Sequence, residues 1–307
     1  MSRNFLASMA VVLALEFGAI SIVNAQEFSD WSAPANLGPA INTNYVESCV
    51  SVSKNGLSLY FSSSRPPENG VNWDLWVVQR ASVEDEWGIP QWLGLNINST
   101  YNESCPALSL DEHRLYFVST RPGGCGGGDL YVSRRRDRRD DFGWGPAENL
   151  GCIPDGYVNS SASEATPAFF EDETGTLIIY FAKAGDIYAS AMRDDDTFGP
   201  PEIVAELSLS VYSENGATIR RDGLEVIFSS NRPGGSGGLD LWMSTRDNIS
   251  EPWSAPVNLA GLNSPLTDGG RMSLSFDGRT LYFTSDRLGG FGGRDLYVTT
   301  RSKLGKE

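Results

Sequence analysis

The chain is poor in the side chains on which much enzyme chemistry rests. It has one histidine, His113, and no Gly-x-Ser-x-Gly phrase, which nearly excludes a hydrolase triad. Its four cysteines include no Cys-x-x-Cys pair, which argues against a cysteine zinc site. Beyond the first 25 residues no apolar run reaches 18 residues, so no membrane-spanning helix is expected. Positive charge is scarce. The 24 Lys and Arg against 39 Asp and Glu leave a formal net charge of −15. Such a surface repels nucleic acid and anionic lipid heads and favours solubility and cationic partners. The two dense charge runs, Asp194-Asp195-Asp196 and Arg134 to Arg139 before Asp140-Asp141, read as solvated turns, and the acidic one lacks the spacing of a Ca²⁺ loop.

Residues 1–25 read as a signal peptide. Arg3 precedes a mostly apolar stretch from Phe5 to Val23, and Val23-Asn24-Ala25 offers the small residues a signal peptidase accepts. The remaining 26–307 show no composition break, since the chain's 33 glycines and 16 prolines are spread rather than clustered in a linker, so one exported domain is expected, periplasmic or secreted.

What the chain does have is repetition. A strand–turn–strand core recurs five times: Ser48 to Ser64, Ser104 to Thr120, Ala165 to Ala182, Asn215 to Asn231 and Gly269 to Asp286. Each copy follows an acidic residue, in turn Glu47, Glu103, Glu164, Glu214 and Asp268, at intervals of 56, 61, 50 and 54. The second strands read LYFSSSR, LYFVSTR, IYFAKAG, VIFSSNR and LYFTSDR, and a third strand opens at Asp74, Asp129, Asp186, Asp240 and Asp295. A fourth element pairs an aromatic with an aliphatic six residues on: Trp31/Leu37, Trp87/Leu93, Trp144/Leu150, Phe198/Val204 and Trp253/Leu259. A proline follows each aromatic, which places this strand at a sheet edge.

One sheet of this size cannot stand alone, whereas five in a ring can. The fourth element occurs before the first repeat and is absent after the last, so Trp31 to Leu37 must complete the C-terminal sheet. The fold expected is an all-β, five-bladed β-propeller with four antiparallel strands per blade, closed by its N-terminal strand.

The phrase Glu-x-x-Pro-x-x-Ser-x-Asp-Gly, with Leu-Tyr-Phe-x-Ser-x-Arg and Asp-Leu-Tyr, resembles the WD-like propeller repeat of TolB-type proteins. The resemblance is nearer to the periplasmic propellers found beside OmpA-like domains. These share Trp-x-x-Pro-x-Asn-Leu, here Trp253 to Leu259, and Ile-Asn-Ser, here Ile97-Asn98-Ser99. It implies a non-catalytic binding or scaffold protein at the cell envelope, a monomer with an envelope protein or a glycan as ligand. TolB's six blades and additional α/β domain have no counterpart in this sequence.

Three constellations are candidates for a site. Glu47, Glu103, Glu164, Glu214 and Asp268 fall at one repeat position and are expected around one mouth of the channel. There they either bind Ca²⁺ or a partner's basic side chain, or accept hydrogen bonds from neighbouring backbone. No cofactor is expected unless Ca²⁺ occupies this ring. Arg65 and Asp74, Arg121 and Asp129, Arg232 and Asp240, and Arg287 and Asp295 flank the loop before the third strand, and each pair is expected to clamp it. Cys125 and Cys152 are the first choice of disulfide. Cys49–Cys105 requires adjacent inner strands within about 7 Å. The alternative function is a carbohydrate-active, glycosidase-like enzyme using inward carboxylates, which needs an unequal pair of acids about 5–9 Å apart. Five equivalent repeat positions do not supply one, although Arg271 and the shortened loop of the third repeat introduce some asymmetry.

Overall fold

The computed structural model describes residues 28–66, 72–152, 158–209 and 211–305; the expected signal peptide lies outside them. Twenty strands form five four-stranded antiparallel sheets. Blade 1 holds β2 (Glu47–Val52), β3 (Ser58–Ser63), β4 (Asp74–Gln79) and β5 (Gln91–Trp92). Blade 2 holds β6 (Glu103–Leu108), β7 (Arg114–Ser119), β8 (Asp129–Arg134) and β9 (Glu148–Asn149). Blade 3 holds β10 (Glu164–Glu171), β11 (Leu177–Lys183), β12 (Asp186–Ala191) and β13 (Glu202–Ile203). Blade 4 holds β14 (Glu214–Ile219), β15 (Glu225–Ser230), β16 (Asp240–Thr245) and β17 (Val257–Asn258). Blade 5 holds β18 (Asp268–Leu274), β19 (Thr280–Ser285) and β20 (Asp295–Thr300), and its outer strand is β1 (Ala35–Asn36).

The expected closure is present. Ala35 pairs with Val298 and Asn36 with Tyr297, and the backbone bonds continue from Ser32 N–H to the Thr300 carbonyl and from Leu37 N–H to that of Leu296. The inner strands β2, β6, β10, β14 and β18 each touch the next, and β18 touches β2, so the ring is shut.

The alternating strands explain why five sheets hold together. The second strand of each blade is covered on both faces, and Phe61, Phe117, Phe181, Phe228 and Phe283, at one repeat position, are all buried. Five apolar clusters fill the five seams between blades. Tyr116 and Val132 of blade 2 meet Phe169 and Phe181 of blade 3, and Val50 and Phe61 of blade 1 meet Tyr282 and Leu296 of blade 5. Each such side chain contributes roughly 1.5–3 kcal/mol by leaving water.

The inner strands are bent alike. Two residues past each acid the backbone turns left-handed, at Cys49 (φ 48°), Cys105 (53°), Thr166 (53°), Gly216 (52°) and Gly270 (70°), and the register with the second strand slips there. These bulges bring adjacent inner strands together at the axis. At Gly216 a Cβ would stand 1.8 Å from the Gly270 carbonyl oxygen, so only glycine fits. The same crowding puts the Cα atoms of Cys49 and Cys105 4.5 Å apart, and they form a disulfide. Cys125 and Cys152 form the second, with Cα atoms 5.6 Å apart. Two disulfides fit an oxidising compartment. Among the described residues no helix is long and apolar enough to cross a membrane.

Candidate functional site: the channel and its two ends

Each acid of the ring opens an inner strand and is fully buried. Glu103 accepts hydrogen bonds from Ser99 N–H at 2.7 Å, Ser99 Oγ at 2.8 Å and Ser119 Oγ at 2.6 Å, and pairs with Arg121 at 3.2 Å. Glu47 repeats this with Thr43, Ser63 and Arg65; Glu214 with Leu209 N–H, Ser230 and Arg232; Asp268 with Ser264, Ser285 and Arg287. In blade 3, where the sequence reads Ala-Lys-Ala-Gly, Lys183 replaces the Ser–Arg pair and reaches Glu164 at 3.6 Å. The carboxylates are thus occupied within their own blades, by the entering loop and the end of the second strand. Among the described residues no group of three or more His, Cys, Asp or Glu is placed to hold a metal ion.

The arginines therefore do not pair with the aspartates that open the third strands. Arg65, Arg121, Arg232 and Arg287 turn back to the acid of their own blade, lie over the aromatics of the second and third strands, and donate to the carbonyls of Ile41, Ile97, Leu207 and Leu262. The aspartates hold the glycine-rich loops by themselves. Asp129 accepts from Cys125 and Gly126 N–H, Asp240 from Ser236 and Gly237, and Asp295 from Phe291 and Gly292. The corresponding loop before Asp74 lies outside the described residues. Each arginine thus closes on the acid that opens its blade's inner strand, and the aspartate of the third strand is met by backbone N–H groups of its own loop.

Two further repeat positions escaped the sequence reading. Asn98, Asn159, Asn42 and Asn263 use their side-chain amides like a short strand, each bonding both N–H and C=O of a third-strand leucine, while Ser208 does so for Ile187. The signal was the asparagine five residues before four of the five acids. The arginine that follows the third strand is the other. Arg80, Arg135, Arg246 and Arg301 bind the hairpin carbonyls of Gly56, Glu112, Gly223 and Gly278 and lie 4.2–4.4 Å over Trp87, Trp144, Trp253 and Trp31. Arg135 and Asp141 correct the expectation of a solvated basic turn. They are buried and paired at 2.8 Å, and Asp141 also accepts from Ser58, Gln79 and Tyr60 of blade 1. Burial alone would raise the Asp141 carboxyl, but these donors together hold it below the usual carboxylate range.

A cavity lies at the opposite end of the inner strands, where the hairpins between first and second strands converge. An open basin of about 820 Å³ is walled by Phe28, Asp111, Glu171, Asp172, Asp222 and Asp277, with His113 on its rim. It narrows through Lys54, Leu110, Arg221 and Phe276 into a throat of about 80 Å³. Arg271 of β18 lies in that throat, buried to 5% exposure, beside Ser51, Ser109 and Ser273. Its Nε donates to the Pro167 carbonyl at 2.6 Å and its Nη1 to that of Val50, so it ties blades 3 and 1 to blade 5. Burial pushes its guanidinium down to about 9. Glu112 is the one carboxylate in the throat; its Oε1 accepts the Lys54 N–H at 2.6 Å, and its own carbonyl is held by Arg135.

No protein-family model matches the chain, and no curated protein matches it. Solved structures do. The catalytic domain of a GH62 α-L-arabinofuranosidase from Coprinopsis cinerea covers 91% of this chain and 98% of its own, at 13% identity and a TM-score of 0.57. A GH43_1 enzyme from Xanthomonas citri, solved with xylotriose, covers 88% and 92% at 14% identity and a TM-score of 0.58. A native arabinanase from Bacillus subtilis covers 86% and 96% at 13% identity and a TM-score of 0.55. At these identities the likeness defines the ring architecture.

These matches correct two expectations. The solved structures named above are glycoside hydrolase propellers rather than TolB-type WD-like ones. With that resemblance goes the reading of a non-catalytic envelope scaffold working through an acidic mouth. The geometry adds its own reason, because carboxylates with no exposed surface offer a partner nothing to bind.

Proposed function

We propose that this chain is a carbohydrate-active propeller that takes a glycan into the basin over the hairpin end of its channel, outside the cytoplasm. The observation that carries this is the basin itself. Its volume is within the range of ordinary ligand sites, and its acids sit in unequal settings. Glu112 is buried in the throat below it, whereas on the basin wall Asp111 is exposed and Asp172 half-buried. Hydrogen bonds from Thr174 and its neighbours hold Asp172 below the usual carboxylate range. Asp111, partly buried, is lowered by its Ser109 and His113 donors. Rim carboxylates that stay ionised beside a secluded one provide the asymmetry that acid–base attack on a glycosidic bond requires. The glycoside hydrolases that share the ring favour the same reading.

The test is reducing-sugar release and calorimetric binding with arabino- and xylo-oligosaccharides. Binding together with hydrolysis that falls by about 10²-fold or more in Glu112→Gln supports the proposal. Absence of binding by any oligosaccharide, or equal rates for wild type and variant, refutes it.

A further inference from the structure

The throat gathers cations in a protein of net charge −15. Lys54 and Arg221 flank its entrance, each 4.4 Å from the Phe276 ring, one on the blade 1 hairpin and one on that of blade 4. Arg271 is at its base. None of the three makes an ion pair among the described residues, and Arg271 is the one buried arginine there with neither a carboxylate nor a ring as its partner. Arg271 is buried with only carbonyl partners, on Nε and Nη1, and its Nη2 has no hydrogen-bond partner among the described residues. A buried cation without a counter-ion is costly, and a bound anion relieves it. Three cations against the single acid Glu112 leave the throat net positive.

We propose that the throat is a carboxylate-binding site that takes the acid group of a uronic-acid-bearing glycan, with Arg271 as its inner donor and Lys54 and Arg221 at its entrance. This rests on the glycan reading above and names the substrate class. Size supports it: 80 Å³ holds roughly the volume of two or three waters, on the scale of a carboxylate rather than a sugar ring. The ring of the same residue would then stay in the basin. Guanidinium and carboxylate match in geometry, and the Ser51 and Ser273 hydroxyls, which only accept backbone N–H groups among the described residues, add donors.

The experiment is calorimetry on the full-length mature chain with a glucuronate-capped xylo-oligosaccharide, the same oligosaccharide without the acid, sodium acetate and sodium phosphate. The acidic oligosaccharide is expected to bind at least about tenfold more tightly than the neutral one, and to lose affinity as salt is raised to about 0.3 M. Acetate is expected to compete weakly, which separates a free carboxylate from one carried by sugar. Lys54→Gln/Arg221→Gln, two exposed positions that leave the core intact, is expected to remove most of that preference. Arg271→Lys, which keeps the charge but loses the fork, is expected to reduce it. Equal affinity for acidic and neutral oligosaccharides, or an unchanged preference in the double variant, overturns the throat proposal while the glycan reading stands. Phosphate competing more strongly than the glucuronide also overturns it. If neither oligosaccharide binds, both fall.

Discussion

Replacing Glu103 by glutamine tests the claim that the acid ring is a framework of buried anchors. The side chain keeps its shape but loses its charge, and one of its two oxygens becomes an amide that faces donors. Glu103 has no exposed surface and receives three hydrogen bonds, two from Ser99 and one from Ser119, besides its ion pair with Arg121. Removing one partner of a buried, hydrogen-bonded ion pair costs about 3–5 kcal/mol, because the remaining charge stays desolvated. Arg121 is 19% exposed and also donates to the Ile97 carbonyl, so part of its charge remains solvated and the lower value, about 3 kcal/mol, is expected. For a domain of this size that lowers Tm by about 6–12 °C. Glu164→Gln is the internal control. Its cation, Lys183, stands 3.6 Å away, a serine donor of the second strand is lacking, and about half the loss is expected. The assay is thermal and urea unfolding at neutral pH. A Glu103→Gln protein that melts within about 2 °C of wild type, or a larger loss in Glu164→Gln, would refute the reasoning.

Two further outcomes are expected. Burial, with the Glu103 charge adding to it, raises the Asp74 carboxyl to about 6. Between about pH 4 and pH 6 the folded state therefore binds more protons than the unfolded one, and stability falls as pH rises through that window. Unfolding free energies measured across it should show this slope, and Asp74→Asn should flatten it; an unchanged slope contradicts the assignment. Separately, Cys49→Ser/Cys105→Ser opens a link spanning 56 residues and Cys125→Ser/Cys152→Ser one spanning 27, so each is expected to cost up to about 4 kcal/mol in urea unfolding, the first slightly more. A loss confined to the second pair would show that the inner strands hold their spacing without a covalent tie.

The ring was legible from sequence because its cause is local. Period-two strands, Asp-Gly turns and a displaced fourth element left one way to close five sheets, and Trp31 to Leu37 lies where that count required. Partner choice was not legible, because it is decided across strands. Arg121 is eight residues from Asp129 in sequence, yet it folds back to Glu103, which it shares with the Ser119 hydroxyl, while Asp129 is met by the N–H groups of its own loop. Cys49 and Cys105 approach only because both adopt the left-handed turn of the bulge, which no residue pattern marks. Arg135 and Asp141 looked like part of a solvated run because charge density in sequence does not reveal which of six neighbours points inward. The throat had one visible sign, Arg271, which departs from the small residues found near that position in the other blades. The equivalent acids drew attention to the other end of the channel, where all five are buried and four of them bonded to a serine and an arginine of their own blade.

The two-residue strand Ala35–Asn36 has a consequence for biogenesis. It is made near the start of translation, but its mates, Tyr297 and Val298, follow about 260 residues later. At about 5–20 residues per second that is a wait on the order of tens of seconds. Throughout that interval the outer strand has no sheet to join, and it is free to be lent to a neighbouring molecule. Reciprocal loans between two chains would leave every bond satisfied, so crowding during synthesis selects between a self-sealed circle and an intertwined pair.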